Sequence, residues 1–324
     1  MTKCIIKGMH MKKNLSINNL AKEKLIEDID LNGTILEVGP FYRPLFQKNE
    51  TNVYYADIKS TEEVLKRYDY LSDEILEKVV PIDYVIKDSY ENTFKDEDME
   101  FDYVVLSHVL EHIPNPIEFL LDVSTILSEK GKICLLLPNK EFTFDSYREN
   151  SSFADLYDVY IHGPEKNIPR IFLDNRLGVV SENNSIKYWN ETVDDFPQPN
   201  IEQVLKEYRN FINDFENQTF DGHHWVFTDE SFLKIMENML KLNLLPLKPY
   251  SFYPTAINSN TFGIILEYDK TIQTNFNERK RLINEIHEIN INIKKQRKEY
   301  EIKEIIKENK ILKEQLNKIK NILK

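Results

Sequence analysis

Thr34-Ile35-Leu36-Glu37-Val38-Gly39-Pro40-Phe41-Tyr42-Arg43-Pro44 is an apolar run that stops at a glycine and turns. β-prone residues closed by Gly and Pro predict a buried parallel strand feeding a tight loop, which is where open α/β sheets bind ligands. About twenty residues past Glu37, the run Val53-Tyr54-Tyr55-Ala56-Asp57 repeats the pattern and ends in an acid. A carboxylate at the tip of a second strand accepts from both hydroxyls of a ribose, so the two strands read as a nucleoside site. A dinucleotide would need the bare backbone of Gly-x-Gly-x-x-Gly to receive its pyrophosphate. Here only Gly39 is present, with Phe41 and Arg43 where further glycines would stand. Taken alone, Glu-Val-Gly is equally a buried strand closed by a structural turn.

The 324 residues leave room for one large α/β domain with an appendage, or for two smaller domains. Lys and Arg number 42 against 54 Asp and Glu, a net charge of −12, and an acidic surface repels phosphate backbones. Nucleic acid is therefore not an expected partner. From Asn275 onward there are 14 basic and 8 acidic residues, so a body near −18 carries a tail near +6. Cys4 and Cys134 are too few for a disulfide framework, which fits a reducing compartment. The first thirteen residues are basic without an apolar segment, and nowhere do eighteen apolar residues run together. The expectation is a cytoplasmic protein with no membrane span.

Along the chain, Ser16 to Asp28 predicts a short amphipathic helix capped by Ser16. Ser60-Thr61-Glu62-Glu63 is a capping-box pattern opening a second helix. A third strand is expected to end at Asp88 and Ser89, where the acid either meets an adenine amine or is a solvated strand end. Phe101 to Leu106 is a fourth strand running into Ser107-His108-Val109-Leu110-Glu111-His112-Ile113-Pro114. Asn115 and Pro116 suit a helix N-cap and first turn, apolar spacing continues to Leu127, and Gly131 is read as the helix end. Lys132 to Leu137 is a fifth strand closed by Pro138. This alternation predicts a doubly wound, mostly parallel sheet of the α/β class.

Glu37-Val38-Gly39-Pro40, Asp57, the run from Ser107 to Pro114, and Gly131-Lys132-Ile133 with Leu136-Leu137-Pro138 resemble class I S-adenosylmethionine-dependent methyltransferases. The likeness spans residues 30 to 145, within the branch that carries a Glu-His pair after the fourth strand. Lys140 to Asp145 and His223 to Thr228 are similar to segments of bacterial members associated with surface polysaccharides. The resemblance implies a seven-stranded Rossmann-like sheet with one reversed strand and S-adenosylmethionine as cofactor. It implies that the loop of Glu37, Gly39, Pro40 and Phe41 faces the methionine part, Asp57 the ribose, and Asp88 with Ser89 the adenine. Ser107 and His108 would stand beside the sulfonium, and Arg43 either pairs with the cofactor carboxylate or stays at the surface. Asp229 to Leu242 would be a helix, Pro246 to Tyr253 an extended segment and Thr261 to Tyr268 the last strand. The implied organisation is a helical segment at 1–29, a methyltransferase core at 30–138 and 227–270, an insert at 139–226 and a coiled coil at 275–324.

The insert leaves the sheet at the carboxyl end of its fifth strand and is expected to roof the site. It is rich in aromatic residues, among them Phe142, Phe144, Tyr147, Tyr188, Trp189 and Trp225, which serve either as core or as faces for a sugar ring. Methyl transfer to a hydroxyl requires alignment and removal of a proton. Asp145, His223 and His224 are the candidates for that task, with His108 and His112 on the sheet side, His112 reading rather as a packing residue. No metal is expected, because adjacent histidines on a strand point to opposite faces and no Cys or paired acid completes a set.

The tail from Phe276 to Lys324 lacks Gly and Pro. Ile302, Asn309, Leu316 and Leu323 recur every seven residues, with Ile305, Leu312 and Ile319 between them, a heptad seam in which Asn309 favours a parallel homodimer. Leu282, Ile286, Ile289 and Ile293 form a stripe out of register with that seam, so a break is expected near Lys294 to Glu299. The reading is methyl transfer to a small polar acceptor, a sugar or surface-glycan hydroxyl. Its alternatives are a cofactor-binding scaffold that recruits glycan-assembly proteins through the tail, and a nucleotide-sugar oxidoreductase, which the missing glycines oppose.

Overall fold

The computed structural model describes residues 20–97, 99–165, 167–180, 188–189, 199–214, 220 and 222–322. Seven strands form one sheet in the order β3-β2-β1-β4-β5-β7-β6. They are β1 (Ile35–Val38), β2 (Val53–Asp57), β3 (Tyr84–Val85), β4 (Phe101–Ser107), β5 (Leu127–Pro138), β6 (Leu247–Tyr253) and β7 (Thr261–Tyr268). The first five run parallel, whereas β7 is antiparallel to both β5 and β6. All four residues of β1 are buried, as a central strand covered on both faces requires. The order reverses at β1 and β4, whose carboxyl ends therefore open the crevice in which such sheets bind ligands.

Local signals place the flanking helices. Ser60 and Glu63 form the capping box of α2 (Thr61–Arg67), and Asn115 caps α5 (Pro116–Ser124) with Pro116 in its first turn. Between them lie α3 (Asp73–Leu76) and α4 (Tyr90–Phe94). The first helix, α1, is described over Leu20–Glu27; the Ser16 cap lies outside the described residues. Two expectations shift. The helix α5 ends at Ser124, not at Gly131, and Leu127 already begins β5 opposite Phe101. Leu120, Val123 and Leu127 all face one core, so the apolar spacing runs on unbroken across the helix end. Gly131 instead sits inside β5, where a Cβ would stand 2.8 Å from the carbonyl oxygen of Phe101. The third strand is only two residues long, because the chain leaves it at Ile86 to enter the Ser89-capped helix α4.

The segment between β5 and β6 contributes α6 (Phe153–His162), α7 (Ile168–Gly178), α8 (Ile201–Asn213) and α9 (Asp229–Leu242). Leu156 and Val159 of α6 join the same core as the sheet, together with Trp225, whose indole N–H donates to the Ile113 carbonyl at 2.7 Å.

The last helix, α10, runs from Phe276 to Ile322 without the break expected near Lys294. Leu282, Ile286 and Ile293 are buried in the main core beside α9, so this stripe packs within the chain and is no coiled-coil seam. Beyond it, Ile302, Ile305, Leu312 and Leu316 are exposed, while the side chains of Ile319 and Leu323 lie outside the described residues. No helix among the described residues is long and apolar enough to cross a membrane. Ile286→Ala should lower the unfolding free energy of the single chain by about 2–5 kcal/mol in urea titrations at high dilution, whereas Ile305→Ala should change it there by no more than about 0.5 kcal/mol.

Candidate functional site

The loop after β1 is built around Glu37, whose carboxylate is buried and accepts the backbone N–H groups of Leu45 at 2.7 Å and Phe46 at 3.1 Å. Glu37 therefore holds the loop from beneath rather than offering its charge to a ligand. Burial pushes its carboxyl up to about 7, and the two N–H donors offset only part of that cost. Above it Gly39 takes φ +64°, and a Cβ there would meet Val109 at 3.2 Å, so the loop after β1 and the loop after β4 touch where only a glycine fits. Pro40 is buried behind it. Phe41 also has positive φ, at +48°, and its ring packs on Tyr42 and Tyr68.

At the tip of β2 the Asp57 carboxylate is half-buried and accepts the Lys59 N–H at 3.0 Å. Burial raises its pKa, with the Lys59 backbone bond and charge pulling the other way. Ile58 beside it is 71% exposed, an apolar platform next to an acid. A side-chain-free Gly39, a half-buried carboxylate at β2 and an apolar neighbour suit a ribose and base carrying no phosphate. Farther along, Asp88 is exposed and the Ser89 hydroxyl caps α4 through the Asn92 N–H, which gives Ser89 a structural task.

The chemically richest cluster lies at the carboxyl end of β4. Ser107 is half-buried at the strand end, and His108 turns the chain with φ +56° while its Nε2 meets the Thr261 hydroxyl at 3.1 Å. The 3-10 turn Leu110–His112 then points Glu111 into the interior, where it is 0% exposed. Its carbonyl accepts the N–H groups of both His224 and Trp225, at 2.8 and 3.1 Å, tying the returning insert to the turn. Its carboxylate has no hydrogen-bond donor among the described residues. The nearest imidazole nitrogens are His108 Nδ1 at 3.5 Å and His223 Nε2 at 3.9 Å.

His223 in turn meets Asp145 through Nδ1 at 2.5 Å, and Arg148 donates to both Asp145 and the His223 carbonyl at 2.9 Å. Burial disfavours the charged imidazole, but the hydrogen bond and charge of Asp145, with the charge of Glu111, more than reverse this and raise the His223 pKa. Burial likewise opposes ionisation of Asp145 and of Glu111, and the histidines beside them, with Arg148 at Asp145, hold both below the ordinary carboxylate range.

Asp145 and His223, two of the candidates named from the sequence, lie against each other near the end of β4, a pairing the sequence did not predict. His224 is not part of this pair: its ring lies against Phe220. The residue that sequence reasoning passed over is Glu111, together with the joining of His112 to the group, since the His112 and His223 rings meet at 4.7 Å. The signal was present in the Glu-His pair after the fourth strand. Glu111 supplies the acid thought to be missing from a metal set: one ligand atom each from Glu111, His112 and His223 lies within 4.8 Å of the others.

A second concavity of about 750 Å³ opens between the insert and α10. Phe142 and Trp189 stack there with ring centroids 3.9 Å apart, and Arg297 pairs with Glu141 and Asp229 at 2.8 Å.

A family model described as a methyltransferase domain matches residues 17–239. No curated protein matches the chain significantly. Among solved structures, a putative Zn-dependent alcohol dehydrogenase from Rhodobacter sphaeroides is similar at 12% identity and a TM-score of 0.39, over 78% of this chain and 91% of that one. A possible histamine N-methyltransferase from Thermotoga maritima is similar at 11% identity and TM-score 0.35, over 77% and 89% of the two chains. An S-adenosylmethionine-dependent methyltransferase from Aquifex aeolicus is similar at 11% and 0.35, over 76% and 89%.

The Glu37 environment gives a pH test. Its folded pKa of about 7 lies above its ordinary value of 4.5, so the folded chain holds a proton that the unfolded chain releases in this interval. The Glu37 contribution to stability is therefore complete below 4.5 and is lost as pH rises to about 7. The difference in unfolding free energy between wild type and Glu37→Gln should change by up to about 3 kcal/mol over that range, with the wild type relatively weaker at the alkaline end. Denaturant titrations at stepped pH check it.

Proposed function

The chain belongs to the methyltransferase-domain family, and we propose that its acceptor is a hydroxyl of a sugar or surface glycan. It is an S-adenosylmethionine-dependent methyltransferase. Bound S-adenosylmethionine supplies a methyl carbon made electrophilic by its sulfonium. In this reading Gly39, Pro40, Phe41, Ser107 and His108 line the cofactor crevice, with Asp57 on the ribose, and Asp88 at its outer edge.

The observation that carries the chemical reading is the buried Asp145–His223 pair. Asp145 engages Nδ1 of His223, which leaves Nε2 to take the acceptor proton. The imidazolium so formed then lies between two carboxylates, Asp145 at 2.5 Å and Glu111 at 3.9 Å. Both carboxylates are in place before substrate arrives, so the imidazolium that proton transfer creates is stabilised without rearrangement. Asp145 and His223 are the catalytic pair, and His224 serves by its backbone bond to Glu111.

A sugar acceptor is supported by the aromatic insert, by the likeness of Lys140 to Asp145 and His223 to Thr228 to surface-polysaccharide enzymes, and by a body charge that disfavours nucleic acid. The insert at 139–226 roofs the acceptor, and the exposed heptad residues of α10 from Ile302 onward form a parallel homodimer or dock a glycan-assembly protein. The protein works in the cytoplasm, where activated sugars are made.

His223→Gln should lower kcat by about 10²–10⁴-fold while cofactor binding by calorimetry stays unchanged. Asp57→Ala should instead weaken cofactor binding about 10–100-fold with the fold retained. Incubation with cytoplasmic glycan precursors followed by mass spectrometry tests the acceptor: gain of one methyl with release of S-adenosylhomocysteine supports it, and methylation confined to amines or non-sugar acceptors overturns it.

A further inference from the structure

Glu111 poses a problem that proton transfer alone leaves unsolved. A fully buried carboxylate is costly, and what surrounds this one is imidazole nitrogen, His108 at 3.5 Å and His223 at 3.9 Å, instead of N–H groups of the backbone. Three of the four histidines at the crevice, His108, His112 and His223, surround it. We propose that Glu111, His112 and His223 form a binding site for a divalent transition-metal ion of the Zn²⁺ class.

Two imidazoles and one carboxylate, with a further position left open, is a donor set that such ions take. Bonds of about 2.0–2.2 Å put neighbouring donor atoms of a tetrahedral site roughly 3.3–3.6 Å apart. Glu111 Oε1 and His223 Nε2 are already at 3.9 Å, and all three donors fall within 4.8 Å, so closure needs shifts on the order of 1 Å. The scaffold is fixed on both sides: Glu111 and His112 share one 3-10 turn, and the Glu111 carbonyl holds the N–H groups of His224 and Trp225, next to His223. The outer shell is present as well. Asp145 engages His223 Nδ1, the carboxylate–histidine arrangement that fixes a ligating ring with its other nitrogen toward the ion. His108, 3.5 Å from the carboxylate and 41% exposed, stands at the solvent side.

Occupation has a consequence that rests on the reading of His223 as the base. The nitrogen that would accept the acceptor proton is then committed to the ion, so metal silences turnover and its removal restores it.

The full-length protein, dialysed against chelator, is titrated with Co²⁺ and followed in the visible. One equivalent should give the intense bands of a four- or five-coordinate ion, displaced by Zn²⁺. Glu111→Gln and His112→Ala should each weaken Co²⁺ affinity at least about tenfold, and Asp145→Asn about 10–100-fold, with thermal transitions confirming that each variant is folded. Absence of stoichiometric binding, or affinity unaltered in both Glu111→Gln and His112→Ala, overturns the site. The readout is spectroscopic, so it stands apart from methyl transfer. Turnover in chelator without Co²⁺ binding sinks the metal site alone, and Co²⁺ binding by a protein that, metal-free in chelator, turns over no sugar acceptor upholds the site while sinking the acceptor reading.

Discussion

A buried carboxylate has to be answered by something, and in this protein Glu111 is answered by the insert. Its carboxylate, carried by the turn after β4, lies 3.9 Å from His223, which bonds Asp145, which bonds Arg148, which reaches Asp174 at 2.8 Å. Acidic and basic groups alternate along this line from the sheet to α7, with every one but the last buried. Desolvating each group alone would cost several kcal/mol, and only the chain of opposite neighbours offsets it. The same line therefore fastens the insert to the sheet and sets the protonation of His223. A change at one link leaves the next charge uncompensated, so stability and chemistry cannot be separated at these positions.

The comparison with Glu37 shows why the donors matter more than the burial. Glu37 lies within the central strand β1 and Glu111 within the turn after β4, and both are almost wholly buried. Glu37 is met by two neutral N–H groups and its carboxyl rises to about 7. Glu111 is met by imidazoles, and its carboxyl is held low despite deeper burial. Backbone dipoles can shape a loop around an acid, but a full opposite charge is needed to keep that acid ionised in a low-dielectric interior. Glu37 is accordingly an organiser of the loop after β1 and Glu111 an electrostatic partner of His108 and His223.

What could be read from the sequence follows the range of the interactions. Helix starts at Ser60 and Asn115, the strand from Phe101, and the span Asp229–Leu242 are set by side chains within a few residues of one another, and each is where the pattern puts it. The end of α5 was not legible, because Leu127 serves the same core as Leu120 from a strand instead of a helix. The pairing of Asp145 with His223 was legible as two residue types but not as a contact, since 78 positions separate them. Glu111 was hidden differently. Between Leu110 and His112 it looks like a solvated acid in an amphipathic turn, and only the fold, by bringing the insert back over the turn, takes it out of water.

The tail shows one sequence doing two jobs. Its first half is basic against an acidic body, and the charge is spent locally: Arg297 reaches Glu141 and Asp229, and Lys294 lies 3.4 Å from Glu230. Asp229 is fully buried at the first turn of α9, where Thr255 and Arg297 are its partners. That contact fixes the rotation of α10, which in turn directs Leu282, Ile286 and Ile293 into the core. Past Arg297 the helix keeps one further contact, Tyr300 against Trp189 with ring centroids 5.6 Å apart, and the apolar positions then move to the heptad phase that begins at Ile302, 47% exposed. The register thus changes with no break in the helix, where the stripe leaves the interior at Ile293 and the apolar positions from Ile302 onward face outward.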